Sequence, residues 1–152
     1  MARQRPQFNQ VNIVSGDLDA SIAFYRRLGV DIPDDEVWET GSGTHHANAG
    51  RDEEPVETAL DLDSATFAAI WNKGWQGRSD LKGKVVVGFR VATRDAVDRI
   101  YDAMTSAGHP GLMPPHDAFW GARYAILEDP DGVAVGLMSP MSDEHRSLPP
   151  DV

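Results

Sequence analysis

The chain contains no cysteine, which excludes disulfides, thiolate metal sites and thiol catalysis and fits a cytoplasmic protein. Long apolar runs are also missing. None approaches the ~18 residues of a membrane span, so no membrane is expected as a partner. The opening Met1-Ala2-Arg3-Gln4-Arg5-Pro6 has no apolar segment behind its charges and does not read as a secretory signal. Basic residues are scarce. With 14 Lys and Arg against 24 Asp and Glu, the formal net charge is −10, and no basic face is expected to track phosphates. That argues against nucleic acid as a partner. There is no Gly-x-Ser-x-Gly elbow, no phosphate-binding glycine loop and no nucleophile–base pair with motif support.

What the chain does have is 152 residues, enough for one compact domain with a real core, and a pattern written twice. From Phe8 to Val14, Val11 and Ile13 alternate with Gln10 and Asn12, as in a half-buried strand. Asp17 then offers an N-cap carboxylate, Leu18, Ile22, Tyr25 and Leu28 follow at helical spacing, and Gly29 closes the helix. In the second copy, Val85, Val87, Phe89 and Val91 alternate with Val86, Gly88 and Arg90. A helix begins near Asp95, carries the stripe Val97, Ile100, Tyr101 and Met104, and ends at Gly108. Half a chain separates the copies, which suggests duplication.

Three strands are expected after each helix. The first set lies at Glu36–Thr40, Thr44–Ala49 and Val56–Leu62. The second lies near Leu112 and at Ala122–Leu127 and Val133–Met138. Asp129-Pro130-Asp131-Gly132 separates the last two as a hairpin turn. The expected fold class is therefore α+β, made of two βαβββ modules over residues 8–62 and 85–138. Residues 1–7 and 139–152 read as tails and 63–84 as a linker, with a short helix near 63–71 and a loop at Gly74–Gly77. Ser142–Val152 is expected to be flexible unless it docks.

The string from Asp17 through Ser21 and Phe24-Tyr25 to Leu28-Gly29 resembles the first helix of the vicinal-oxygen-chelate superfamily, which includes glyoxalases, bleomycin resistance proteins and extradiol dioxygenases. Glu128-Asp129-Pro130-Asp131-Gly132 is similar to its near-terminal hairpin, and the match covers roughly residues 8–138. The resemblance implies two half-open curled sheets lining a cleft, and in many members a homodimer. It does not fix a function, because the family includes both enzymes and non-catalytic binding proteins.

The resemblance also implies where a divalent ion would sit. Enzymes of the family hold it with side chains from the first and last strands of each module. The first-strand position, seven residues before the helix-opening Asp, is Gln10, and its counterpart in the second module is Val86. The last-strand position is Gly136, before Leu137, and pairing the two modules puts Ala59 at its counterpart. Only Gln10 of these four carries a side-chain donor, so no metal and no other cofactor is expected. A relocated set of His46, Glu57 and His116 is the alternative. Adjacent His45 and His46 should point to opposite faces of their strand.

Alternation places Gln10, Asn12, Glu57, Ala59, Asp61, Val86, Gly88, Arg90, Ala134, Gly136 and Met138 on the face away from the helices. Small residues there should leave volume. Arg90 suits a carboxylate, either on a ligand or on Glu57 or Asp61. Of the four tryptophans, Trp38, Trp71, Trp75 and Trp120, at least one of Trp75 and Trp120 is expected to line a pocket. The expected ligand-binding set is thus Gln10, Asn12, Trp38, His46, Glu57, Trp75, Arg90 and Trp120. The expected function is metal-free binding or sequestration of a small organic molecule. The alternatives are a lyase, isomerase or dioxygenase of the same superfamily with relocated or absent ligands, and an interaction module with a filled cleft.

Overall fold

A computed structural model of the chain describes residues 10–49, 59–71, 83 and 85–148. It divides into two compact units, residues 1–77 and 78–152, each built on one four-stranded sheet. The first unit contains β1 (Gln10–Ser15), α1 (Leu18–Leu28), β2 (Val37–Thr40), β3 (Gly43–Ala49), β4 (Ala59–Ser64) and α2 (Ala65–Trp71). Its strand order is β1-β4-β3-β2, with β1 parallel to β4 and the remaining pairs antiparallel.

Helix α1 forms where the periodicity predicts it. Asp17 accepts a hydrogen bond from the Ala20 amide at 3.0 Å, and Gly29 takes the left-handed conformation (φ 105°) that ends the helix. Its stripe of Leu18, Ile22, Phe24, Tyr25 and Leu28 is buried, with Ile13, Ala47, Leu60 and Leu62 from the sheet. Ser15 and Ser21 join their hydroxyls at 2.7 Å, tying β1 to the helix and fixing Val11, Ile13 and Ser15 on its side. By alternation, Asn12, Val14, Asp61 and Asp63 occupy the other face, called the open face below.

The second unit repeats the order. It contains β5 (Val86–Arg90), α3 (Arg94–Ser106), β6 (Gly111–Asp117), β7 (Arg123–Glu128) and β8 (Ala134–Met138), in sheet order β5-β8-β7-β6. Helix α3 starts one residue earlier than the sequence suggested. Thr93 is the cap, accepting from the Ala96 amide at 3.1 Å, and Asp95 sits in the first turn, where the helix dipole favours an acid. The strand expected near Leu112 spans seven residues. Its two register irregularities accommodate Pro114 and Pro115, as an edge strand permits. Asp129 shapes the last hairpin, accepting from the amides of Asp131 and Val133 at 2.9 and 2.8 Å.

Two segments differ from expectation. Asp63 and Ser64, assigned to a linker, complete β4, and the Ser64 hydroxyl accepts from the Phe67 amide to start α2. The stretch after Ser142, expected to be free unless docked, is held against its own unit. The Ser142 amide donates to the Gly121 carbonyl, the Ser147 amide to the Phe119 carbonyl, and Arg146 bridges Trp120.

Candidate functional site

The strand register decides which residues are equivalent in the two units. Counting seven back from the helix caps, Asp17 and Thr93, gives Gln10 and Val86. Gln10 pairs with Ala59, and Val86 pairs with Ala134. The counterpart of Gly136 is therefore Asp61, and the match of Ala59 to Gly136 was wrong by one pleat. In the second unit the Asp129–Gly132 turn anchors the register. The residues before Ala59 carry no such motif, so strand ends alone misled. The four family positions thus read Gln10, Asp61, Val86 and Gly136.

These residues do not fit a divalent ion. Val86 and Gly136 offer no side-chain donor. One Asp61 oxygen already accepts from Asn48 Nδ2 at 2.8 Å. A carboxylate and a carboxamide together fall short of the three or four protein ligands that hold a catalytic ion. Among the described residues no group of three or more His, Asp or Glu is placed to hold one. Glu57, of the alternative set, lies outside the described residues.

Nor is the space over Gly136 vacant. A Cβ there would lie 2.7 Å from Tyr124 Oη, so the Tyr124 ring on β7 covers the position. Around it, His116 faces Tyr124 across the β6–β7 ladder, with ring centroids 6.0 Å apart, and donates from Nδ1 to the Pro114 carbonyl. Trp120 stands edge-on to Tyr124 at 5.5 Å and to Phe119 at 5.1 Å. Arg90 is exposed beside Gly88, over which the space is open. Arg90 has no ion-pair partner among the described residues of its own unit.

The open face of the first unit is richer in polar contacts. Asp63 is 1% exposed, and both of its oxygens are engaged. Oδ1 accepts from His46 Nδ1 at 2.7 Å and Oδ2 accepts from Asn12 Nδ2 at 2.8 Å. Those contacts put a proton on Nδ1, so in the neutral imidazole Nε2 is the lone-pair nitrogen. Nε2 has no hydrogen-bond partner among the described residues, and the imidazole is 29% exposed. One pleat along, Asp61 is 7% exposed. Burial pushes its carboxyl above the ordinary value, the positive charge of the nearby imidazole when protonated opposing the rise and Asp63 adding to it.

Rings border this network. Phe67 on α2 lies 6.0 Å from His46 and 5.3 Å from Trp38, and Trp38 lies 4.8 Å from His45. Opposite faces for the two histidines were expected, yet one chain of rings reaches both. Trp38 pairs with His46 and Glu39 with Thr44, so His45 is the extra residue of a β-bulge, and a bulge breaks simple alternation. His45 Nε2 meets the hydroxyls of Thr40 and Ser42 at 2.7 and 3.1 Å.

Of the expected set, Asn12, Trp38 and His46 come together on the first unit. Arg90 and Trp120 belong to the second unit. Gln10 is placed by its backbone pairing, and Glu57 and Trp75 lie outside the described residues. Asp63 and Asn48 were missed. The alternation Leu60-Asp61-Leu62-Asp63 carried the signal for Asp63. A cavity of about 450 Å³ between α1 and β2 lies elsewhere in the first unit. Its polar rim is self-satisfied: Arg26 binds Asp34 at 2.8 Å, and the Thr44 hydroxyl bonds Asp19 and Glu39.

Residues 7–137 match the family model described as the Glyoxalase/Bleomycin resistance protein/Dioxygenase superfamily. No curated protein matches the chain. Among solved structures, a glyoxalase/bleomycin resistance protein/dioxygenase family enzyme from Burkholderia phytofirmans PsJN is 18% identical, with a TM-score of 0.69, covering 88% of this chain and 98% of its own. A glyoxalase-related enzyme from Fulvimarina pelagi is 18% identical, with a TM-score of 0.68 and 88% of each chain covered. A lactoylglutathione lyase from Agrobacterium tumefaciens is 16% identical, with a TM-score of 0.59, covering 90% of this chain and 96% of its own. At such identities the structures speak for the fold, and the sequence match over residues 7–137 speaks for descent: the chain belongs to the Glyoxalase/Bleomycin resistance protein/Dioxygenase superfamily.

Proposed function

We propose that this protein binds a small organic molecule without a metal ion, sequestering or carrying it in the cytoplasm as a homodimer. The donor set carries the reading. Where the family's enzymes place ion ligands, this chain has one amide, one acid bonded to Asn48, one valine and one glycine lying under a tyrosine ring. What stands on the open face of the first unit suits an organic guest instead. Trp38, 48% exposed, gives a flat apolar surface, and the imidazole of His46, its cross-strand partner, which also lies against Phe67, gives a directional polar contact.

The two acids next to His46 oppose an anion, so the guest is uncharged or cationic. Fluorescence titration with a panel of flat neutral, cationic and anionic compounds tests this. Saturable quenching by neutral or cationic members is the expected result, weakened at least tenfold in Trp38→Ala, where the aromatic contact with the guest is lost. Binding confined to anions, or binding that requires an added divalent ion, would contradict it.

A further inference from the structure

We propose that His46, oriented by Asp63, is a proton-transfer base acting on a small, uncharged, flat carbonyl compound with an acidic C–H, so that the open face of the first unit isomerises its guest rather than only holding it. This rests on guest binding at that face and adds a reaction to it.

Three observations converge. Asp63 is 1% exposed and spends one oxygen on His46 Nδ1 and the other on Asn12. Both of its oxygens are thereby engaged, and it can act on a guest through the imidazole that it orients. A carboxylate against Nδ1–H fixes the tautomer and stabilises the imidazolium that forms when Nε2 takes a proton. Nε2 is the nitrogen without a partner among the described residues, on a ring that is 29% exposed. Phe67 and Trp38 form an aromatic wall beside it, giving a flat guest a surface to lie on. Asp61 and Asp63 disfavour an anionic guest, which accords with an uncharged C–H acid.

The step balances without a co-reactant. The C–H proton moves to Nε2, and the C–H electron pair passes into the carbonyl to give an enolate. In a β,γ-unsaturated carbonyl guest this enolate is a dienolate, and the same proton returns from Nε2 to its γ-carbon, moving the C=C double bond into conjugation with the carbonyl. Asp63 is a positioning residue, because it touches the base and not the guest.

Nitrobenzisoxazole is the probe. It is flat and uncharged, and loss of its C–H proton breaks its N–O bond to give a coloured phenolate. The full-length protein should turn it over about 100-fold faster than free imidazole at equal concentration, and His46→Ala should remove that excess. Asp63→Asn should lower turnover roughly tenfold or more while saturable quenching by the probe persists, since the tautomer is then no longer enforced. Nitrogen NMR of His46 should show the proton on Nδ1 in the native protein and a mixture in Asp63→Asn, which a structural role for Asp63 would not produce. Thermal melts identify a variant that has lost its fold, and His46→Gln then replaces His46→Ala. Turnover no faster than imidazole, turnover unchanged in the His46 variants, or a native His46 protonated on Nε2 overturns the proposal. Saturable quenching without turnover would overturn it too and would leave guest binding standing.

Discussion

The two units share a scaffold and differ in what they place on its open face. In corresponding rows, Asn12, Asp61 and Asp63 of the first unit stand where the second has Gly88, Gly136 and Met138, as the parallel registers of β1 with β4 and β5 with β8 show. The helix-facing residues correspond as well, but there the chemistry is kept: Leu62 pairs with Ile13 as Leu137 pairs with Phe89, and both leucines are fully buried. The side of each sheet that folds the chain is alike in the two units, and the other side differs: a polar network around His46 in one, an aromatic cover over glycine in the other.

The largest expected effect tests what was preserved. Leu62→Ala and Leu137→Ala each leave a cavity in an equivalent core, and each should cost about 2–5 kcal/mol in denaturant unfolding. Costs differing by more than the width of that range would show that the two cores are not equivalent. Smaller effects test what diverged. Asp63→Ala leaves His46 Nδ1–H and Asn12 Nδ2 without their acceptor and should cost about 1–3 kcal/mol. Gly136→Glu must displace the Tyr124 hydroxyl and should cost about 1–3 kcal/mol. Gly136→Glu combined with Tyr124→Ala should recover part of that loss.

The smallest effect is a pH dependence. The folded state raises the Asp61 pKa, so its ionisation opposes folding at neutral pH, and the opposition disappears once the group is protonated in both folded and unfolded states. Asp61→Asn keeps an oxygen for Asn48 and should raise the melting temperature slightly at neutral pH. The gain should vanish below about pH 4, the ordinary carboxyl range. A gain that grew on acidification would show the opposite sign of coupling.

Much of the fold was legible because its signals are local. The cap at Asp17, the stripe from Leu18 to Leu28, the stop at Gly29 and the Asp129–Gly132 turn each act within a few residues. The site was less legible because its geometry is set by pairing between distant strands. The equivalence of Asp61 with Gly136 depends on which residue β1 meets on β4, a contact across about fifty residues of chain. The bulge at His45 depends on how β2 meets β3, and neither strand's own sequence announces it. Tyr124 hides Gly136 by leaning diagonally across a ladder, so a missing side chain in the sequence did not mean empty space in the fold.

Direct titration of the purified, chelator-treated protein with zinc, nickel and manganese, read by calorimetry, tests the central claim most directly. Absence of a saturable one-per-chain site at micromolar ion, together with unchanged guest binding, is the expected result. Stoichiometric uptake that strengthens guest binding and disappears in Asp61→Ala would contradict metal-independent binding.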